Sequence, residues 1–265
     1  MSKYENRAIM SLLNMCNEMF RKNIEIRRIT KTCALLLLSG LSPHDIPKAI
    51  IDKCLSSQQD DGGFIGNTDT LWNIKLLEFF PQYMEERNRA IEWLTTNNGN
   101  EEGFGRSKRD MHRIPVTGLA FYLLPKIATE KNLEWLEHTW SSEVNSLTYK
   151  AAYTILAFSK KKYEPKRNSK LIHEAAVWLR EQQETSGGFA PWLNHPVGEN
   201  VYCTAIALIA LISMQDDSYR ETIKRAYDYL CRTQLKSGIW PYHEIEDGAS
   251  WGLYALSQAE KYLGE

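Results

Sequence analysis

The chain has 265 residues, 43% of them hydrophobic, and a formal net charge of −1. That content supplies a sizeable core, while the near-neutral balance lacks the basic field that nucleic-acid binding needs, so no nucleic-acid partner is expected. Five scattered cysteines (Cys16, Cys33, Cys54, Cys203, Cys231) form no CxxC pair, which suits a reducing cytoplasm better than a disulfide framework.

The first residues, Met-Ser-Lys-Tyr-Glu-Asn-Arg, contain no apolar signal core. Helical periodicity dominates, and no alternating β-rich stretch stands out. Residues 7–21 put Ile9, Leu12, Leu13, Cys16 and Phe20 on one face. Residues 29–38 are apolar nearly all round. Residues 47–55 are amphipathic and open with Pro47 in the first turn; residues 70–80 follow and stop at Pro81. An amphipathic 87–94 precedes an apolar 115–124, stopped by Pro125. A weaker helix at 133–140 precedes 147–158, and the basic stretch 161–167 reads as a solvated loop. The last two pairs are amphipathic 171–182 with apolar 202–214, and amphipathic 219–232 with 249–262. The longest wholly apolar run, 205–212, is too short to cross a bilayer. The expectation is a soluble cytoplasmic protein that is not transmembrane.

Six amphipathic-then-apolar pairs predict two concentric layers, with half-wet outer helices around buried inner ones. Such pairs close into an all-α (α/α)6 toroid, and closure removes the end faces an open array must cap. No Pro/Gly/Ser linker interrupts the chain, so residues 1–265 read as a single domain.

One phrase recurs between the paired helices. It is Leu-x-x-x-Gln, a polar turn, then glycine and an aromatic. The copies end at Gln59 with Gly62-Gly63-Phe64, at Gln183 with Gly187-Gly188-Phe189, and at Gln234 with Gly238-Ile239-Trp240; a weaker copy reads Asn98 with Gly103-Phe104. Glycine accepts a left-handed helix end, the aromatic anchors the turn, and glutamine bonds orphaned helix-end groups. These residues read as scaffold.

The phrase resembles the QW motif of the terpenoid cyclase and protein prenyltransferase superfamily, over roughly residues 45–262. The resemblance implies the toroid firmly and the reaction less so. It implies a cavity opening where inner helices begin. In protein prenyltransferases an Asp-x-Cys pair and a later His hold zinc. Here Glu199-Asn-Val-Tyr-Cys203 lacks the Asp and the last repeat lacks the His, so no metal and no cofactor are expected. Class II terpene cyclases, such as the squalene-hopene cyclases, protonate an alkene or epoxide with Asp-x-Asp-Asp-Thr-Ala. The last repeat here reads Glu244-Ile-Glu246-Asp247-Gly-Ala. By that resemblance Glu246 is the proton donor, with Glu244 and Asp247 its helpers. Asp69, in Thr68-Asp69-Thr70, fits the pattern in part. His243 either bonds to Glu246 or fills its loop. For all these acids, helix capping is the competing reading.

An apolar isoprenoid would be held by Trp72, Tyr149, Trp192, Tyr202, Trp240, Tyr242 and Trp251, since electron-rich rings stabilise cations. The expected function is a metal-independent, class II-type isoprenoid cyclase, an isomerase or lyase. Two alternatives stay open. One is a carbohydrate-active (α/α)6 enzyme pairing Glu246 with Glu199 or Asp69, with Trp192 and Trp240 as sugar platforms. The other is a non-catalytic or prenyltransferase-like subunit needing a helical partner protein.

Overall fold

The computed structural model describes residues 2–97, 102–142 and 147–264, and their regular secondary structure is helical apart from one isolated bridge between Gln183 and Phe189. Twelve α-helices are described, in chain order: α1 (Lys3–Arg21), α2 (Ile26–Leu38), α3 (Lys48–Leu55), α4 (Asn67–Leu77), α5 (Met84–Asn97), α6 (Ile114–Leu123), α7 (Glu130–Ser142), α8 (Thr148–Lys161), α9 (Leu171–Glu181), α10 (Val201–Ser213), α11 (Arg220–Thr233) and α12 (Ile245–Leu263). Even-numbered helices pack in sequence, α2 on α4 and so on to α12, and α12 packs back on α2. Odd-numbered helices lie outside them. The predicted six-hairpin toroid is the observed fold.

The inner helices are the apolar ones: α10 buries Val201 and every residue from Cys203 to Ile212. Their starts meet at one end of the ring. The Asn67 N–H, entering α4, donates to the Arg106 carbonyl before α6 at 2.9 Å, and the Thr148 N–H at the start of α8 donates to the Pro191 carbonyl before α10 at 2.8 Å.

The repeated phrase has one geometry. Gly62, Gly187 and Gly238 sit at φ of +94°, +92° and +91°. Four residues before each, a glutamine Nε2 donates twice. Gln183 bonds the Gly187 carbonyl at 3.0 Å and the Thr222 carbonyl of α11 at 2.9 Å. Gln234 bonds the Gly238 carbonyl at 3.0 Å and the Tyr4 carbonyl of α1 at 2.9 Å. In the first copy Gln58 does this, not Gln59: it bonds the Gly62 and Glu86 carbonyls at 2.8 Å each. Gln59 instead donates its backbone N–H to Gly63, as Glu184 does to Gly188. Glutamine therefore ties each turn to the first turn of the next outer helix rather than capping its own. Asn98 of the weak copy lies outside the described residues, as do residues 143–146.

Each aromatic is then hung on an inner helix or its own outer one. The backbone N–H groups of Phe64, Phe104 and Phe189 donate to the buried hydroxyls of Thr70, Thr117 and Thr204 at 3.1, 2.7 and 2.9 Å. Trp240 is buried, and its Nε1–H donates to the Leu230 carbonyl at 2.8 Å.

Two predictions follow from this packing. A Cβ on Gly238 would lie 2.3 Å from the Arg7 carbonyl oxygen, whereas one on Gly40, also at positive φ (+101°), meets nothing within 4 Å. Gly238→Ala is expected to cost about 3 kcal/mol and Gly40→Ala about 1 kcal/mol, read as urea midpoints, because only the first adds a backbone clash to the strain of the left-handed region. The second concerns Glu260 of α12, which is buried. Burial and the neighbouring Glu5 carboxyl of α1 raise its pKa, while hydrogen bonds from Ser2 and the Tyr227 hydroxyl of α11 pull it down. A raised folded-state pKa stabilises below the ordinary glutamate value, and that contribution is lost as pH rises through the folded pKa. Glu260→Gln should therefore melt above wild type at about pH 8, with the gap closing near about pH 4.

Candidate active site

The acids on the last inner helix do not act as caps. Glu244 is the N-cap residue of α12, yet its side chain makes no capping bond. Glu246 and Asp247, in the first turn, reach instead to the neighbouring inner helix: Glu246 pairs with the Arg28 guanidinium and Asp247 with the Lys31 ammonium, both on α2. Three cations, Arg27, Arg28 and Lys31, crowd the first two turns of α2, where the helix dipole disfavours positive charge. Carboxylates from α12 offset that cost.

Glu246 is 3% exposed and Arg28 is 35% exposed in the pair. Burial alone would push the Glu246 carboxyl up, but the Arg28 hydrogen bond, its own backbone N–H and the charges of Arg28 and Lys31 outweigh it and hold it below the usual carboxylate range. Asp69 behaves in the opposite way. It lies in the first turn of α4, whose N-cap is Gly66, so it is not the N-cap residue. Burial lifts its carboxyl above the usual range, against the field of Arg27.

These groups share one cavity of about 280 Å³ at the end where inner helices begin. It is lined by Arg27, Arg28, Lys31 and Thr32 of α2, by Thr68, Asp69 and Trp72 of α4, by Arg106, and by Glu244, Glu246 and Asp247. Thr68 Oγ1 and Trp72 Nε1 are buried there without a hydrogen-bond partner among the described residues. Buried polar atoms of this kind ordinarily have a partner.

Behind the cavity the ring interior is packed with aromatics. Trp251, fully buried, touches Trp72, Tyr153, Tyr202 and Tyr254 with ring centroids 5.8 to 6.4 Å apart. The Tyr122 and Tyr254 hydroxyls meet at 2.6 Å across the ring. Tyr242 stacks on Tyr202 at 5.8 Å. The Lys31 ammonium stands 5.6 Å and 5.7 Å from the Trp72 and Trp251 rings, placing a cation against this nest.

Of the residues singled out in the sequence, Asp69, Trp72, Glu244, Glu246 and Asp247 line one cavity. Tyr202, Tyr242 and Trp251 join the aromatic nest behind it. His243 is exposed and packs its ring on Tyr242 at 4.2 Å, with no bond to Glu246. Trp240 is buried in the turn scaffold and is not among the residues lining that cavity. Trp192 is 44% exposed, sits edge-on to His195 at 4.1 Å and is not among the residues lining that cavity. Tyr149 is half-buried. Cys203 is buried beside the Asn200 side chain, its thiol pushed up to about 11 by burial. Sequence reasoning missed Arg27, Arg28, Lys31 and Arg106; the signal available was the run of cations opening an otherwise apolar helix.

A family model for the prenyltransferase alpha-alpha toroid domain matches residues 70–139 and 129–257, more than half of the chain. The chain belongs to this family. Its fold is similar to that of the type II terpene cyclase MstE from Scytonema. An arginine-to-alanine variant of MstE, solved in complex with geranylgeranyl dihydroxybenzoate as substrate, superposes with a TM-score of 0.73 at 13% identity, covering 99% of this chain and 100% of that one. The apo form gives 0.72 at 14%, covering 97% and 99%. A family 105 glycoside hydrolase from C. acetobutylicum ATCC 824 is similar too, with a TM-score of 0.64 at 13% identity over the full length of both chains. No protein of curated function matches the sequence. No described helix is long and apolar enough to cross a membrane.

The ion pair is directly testable. Arg28→Met should destabilise the fold by about 2 kcal/mol, below the 3–5 kcal/mol of a fully buried pair because Arg28 is partly solvated. Arg28→Met/Glu246→Gln should recover most of that loss in urea unfolding, since the second change removes the stranded charge.

Proposed function

We propose that the chain is a single toroidal unit that cyclises an isoprenoid by protonating it, with Asp69 as the proton donor. The carrying observation is the contrast between two carboxyls in one cavity: Asp69 is lifted by burial and Glu246 is held down by Arg28. A general acid must hold its proton until the transfer, so the lifted group suits the role and the ion-paired one does not. Glu246, the donor by motif resemblance, becomes the anion that fixes Arg28, and Asp247 fixes Lys31. Arg27 supplies positive field for the carboxylate that Asp69 leaves behind.

The rest of the site suits this chemistry. Proton transfer to a terminal or internal alkene forms a C–H bond from the carboxyl O–H and leaves a carbocation on the substrate. Trp72 lines the cavity and offers its ring to such a cation; that ring already accepts the Lys31 ammonium. Ring closure passes the charge along the chain, transfer of a proton to water ends it, and solvent returns a proton to the Asp69 carboxylate. Thr68 and Trp72 offer hydrogen-bond donors for a polar end of the substrate. The reaction class is that of the type II terpene cyclases of similar fold.

A second reading has a specific observation in its favour. One raised and one lowered carboxyl in a polar cavity is also the pairing a glycosidase uses, and a glycoside hydrolase shares the fold. Against it, Trp240 is buried and Glu199 is not among the cavity residues.

The test is turnover by the full-length protein of linear isoprenoids, their diphosphates and prenylated aromatic acids, alongside aryl glycosides. Asp69→Asn is expected to lower cyclisation by about a hundredfold or more, the usual contribution of a positioned acid, while Glu246→Gln keeps a larger share. Unchanged cyclisation by Asp69→Asn sinks the assignment of the donor; turnover of glycosides alone sinks the isoprenoid reading.

A further inference from the structure

The cavity matches its charges internally. Arg28 pairs with Glu246 and Lys31 with Asp247, and Arg27 is held by Glu25 at 2.8 Å. Apart from Asp69, the remaining charged groups of the lining are Arg106 and Glu244, one of each sign. Both are exposed, where water and salt screen them. Cations and acids therefore balance when Asp69 carries its proton. An anionic ligand would have to draw a cation off its carboxylate. Taking Arg28 would strand Glu246, which is 3% exposed, and a buried carboxylate without its partner is costly. A cationic ligand meets the reverse obstacle, because the Lys31 ammonium already stands 5.6 Å from the Trp72 ring.

The capacity that the lining leaves unfilled is neutral. Thr68 Oγ1 and Trp72 Nε1 are buried there without a partner among the described residues, and Trp72 as a whole is 3% exposed. The two residues lie four apart on α4, a spacing that puts them on one helix face. An indole N–H only donates, whereas a hydroxyl donates and accepts. Their complement is an oxygen lone pair. A bare hydrocarbon in the cavity would keep water from both groups and leave them unsatisfied, which is costly.

We infer that the isoprenoid taken by this cavity ends in an uncharged oxygen, a hydroxyl or a carbonyl, held by the Trp72 N–H and the Thr68 hydroxyl. The inference rests on the isoprenoid reading above and narrows it. It disfavours diphosphate and carboxylate ends, which find no unpaired buried cation, and plain hydrocarbons, which leave two donors bare. Trp72 then has two uses, since its N–H holds the polar end while its ring faces the charge that develops on the chain. Asp69 is the residue after Thr68. With the oxygen and the proton donor on the same two turns of α4, the bound chain has to fold back on itself. That is the conformation ring closure needs, so the oxygen contact also orients the reacting carbons.

The cavity of about 280 Å³ is roughly twice the volume of one that admits benzene, so ten-carbon ligands suit the test. The full chain is dialysed to equilibrium against geraniol, the same skeleton without its hydroxyl, geranic acid and geranyl diphosphate. Binding is read rather than turnover, which separates a failure of the oxygen contact from a failure of the chemistry. Geraniol is expected to bind about tenfold more tightly than the hydrocarbon or either anion. Trp72→Phe keeps a ring and loses the N–H; it should weaken geraniol about tenfold and the hydrocarbon by less than about twofold. Thr68→Val should weaken geraniol several-fold with the same selectivity. Circular dichroism and urea midpoints verify that both variants fold, and Thr68→Val carries the comparison alone where the indole is needed for folding. Tighter binding of the acid or the diphosphate overturns the inference and leaves the cyclase reading standing. So does equal binding of geraniol and hydrocarbon, or an equal loss of both in the variants, since the ring and not the oxygen contact then holds the ligand. Binding of none of the four overturns the inference together with the isoprenoid reading.

Discussion

The structure depends on one clasp, made three times. A glutamine spans its own turn and the first turn of the next outer helix, while the glycine four residues on takes a left-handed conformation against that helix. The three glycines agree within a few degrees of φ, and each would drive a Cβ into the carbonyl of an arginine on the neighbouring helix: Arg89, Arg225 and Arg7. Two neutral hydrogen bonds add only about 1–3 kcal/mol net per clasp. Their larger effect is geometric. They set the distance between successive hairpins, and a ring closes only if each step repeats. The last clasp joins Gln234 to Tyr4, and Arg7 returns a bond to the Gln234 side chain at 2.9 Å. The first helix of the chain thus plays the part that the next hairpin plays elsewhere.

Much of this was legible before any coordinates. Alternation of amphipathic and all-apolar segments implied two layers, and each of the twelve segments became a helix within a few residues. The misses have physical causes. The first helix starts at Lys3, four residues before the expected start at residue 7, because Ser2 and Glu5 form a capping box, an S-x-x-E signal that lies outside the apolar face. Counting four residues on from leucine points to Gln59, whereas Gln58 makes the clasp. The clasp is measured from glycine, and Gly62 follows Leu55 by one residue fewer than Gly187 follows Leu179 or Gly238 follows Leu230. Counting back four from Gly62, Gly187 and Gly238 finds the right glutamine every time.

The site was half legible. Acids at the start of α12 stand out because acids there match a known arrangement. Their partners do not, because Arg28 and Lys31 lie more than two hundred residues earlier and read as an ordinary helix opening. Only the ring brings α2 beside α12. Pairing then reverses what the residue types suggest: Glu246, the better match by position, is held anionic, while Asp69, the poorer match, is the carboxyl lifted by burial. Local motif sets which residues arrive at an inner-helix start; the charge across the neighbouring helix sets what each one does there.

Fold and site are therefore coupled at the seam. The Gln234–Tyr4 clasp and the Arg28–Glu246 and Lys31–Asp247 pairs all join the last two helices to the first two. Until the ring closes, Glu246 has no guanidinium and Lys31 has no carboxylate. Its ammonium then also lacks the Trp251 ring, which arrives on α12. A chain that closes improperly leaves cations crowding the start of α2 against its dipole, and leaves Glu246 buried without a partner. Both states are costly. The charges that shape the cavity thus penalise every arrangement in which the cavity is absent, and their placement at the seam makes ring closure and site assembly a single event.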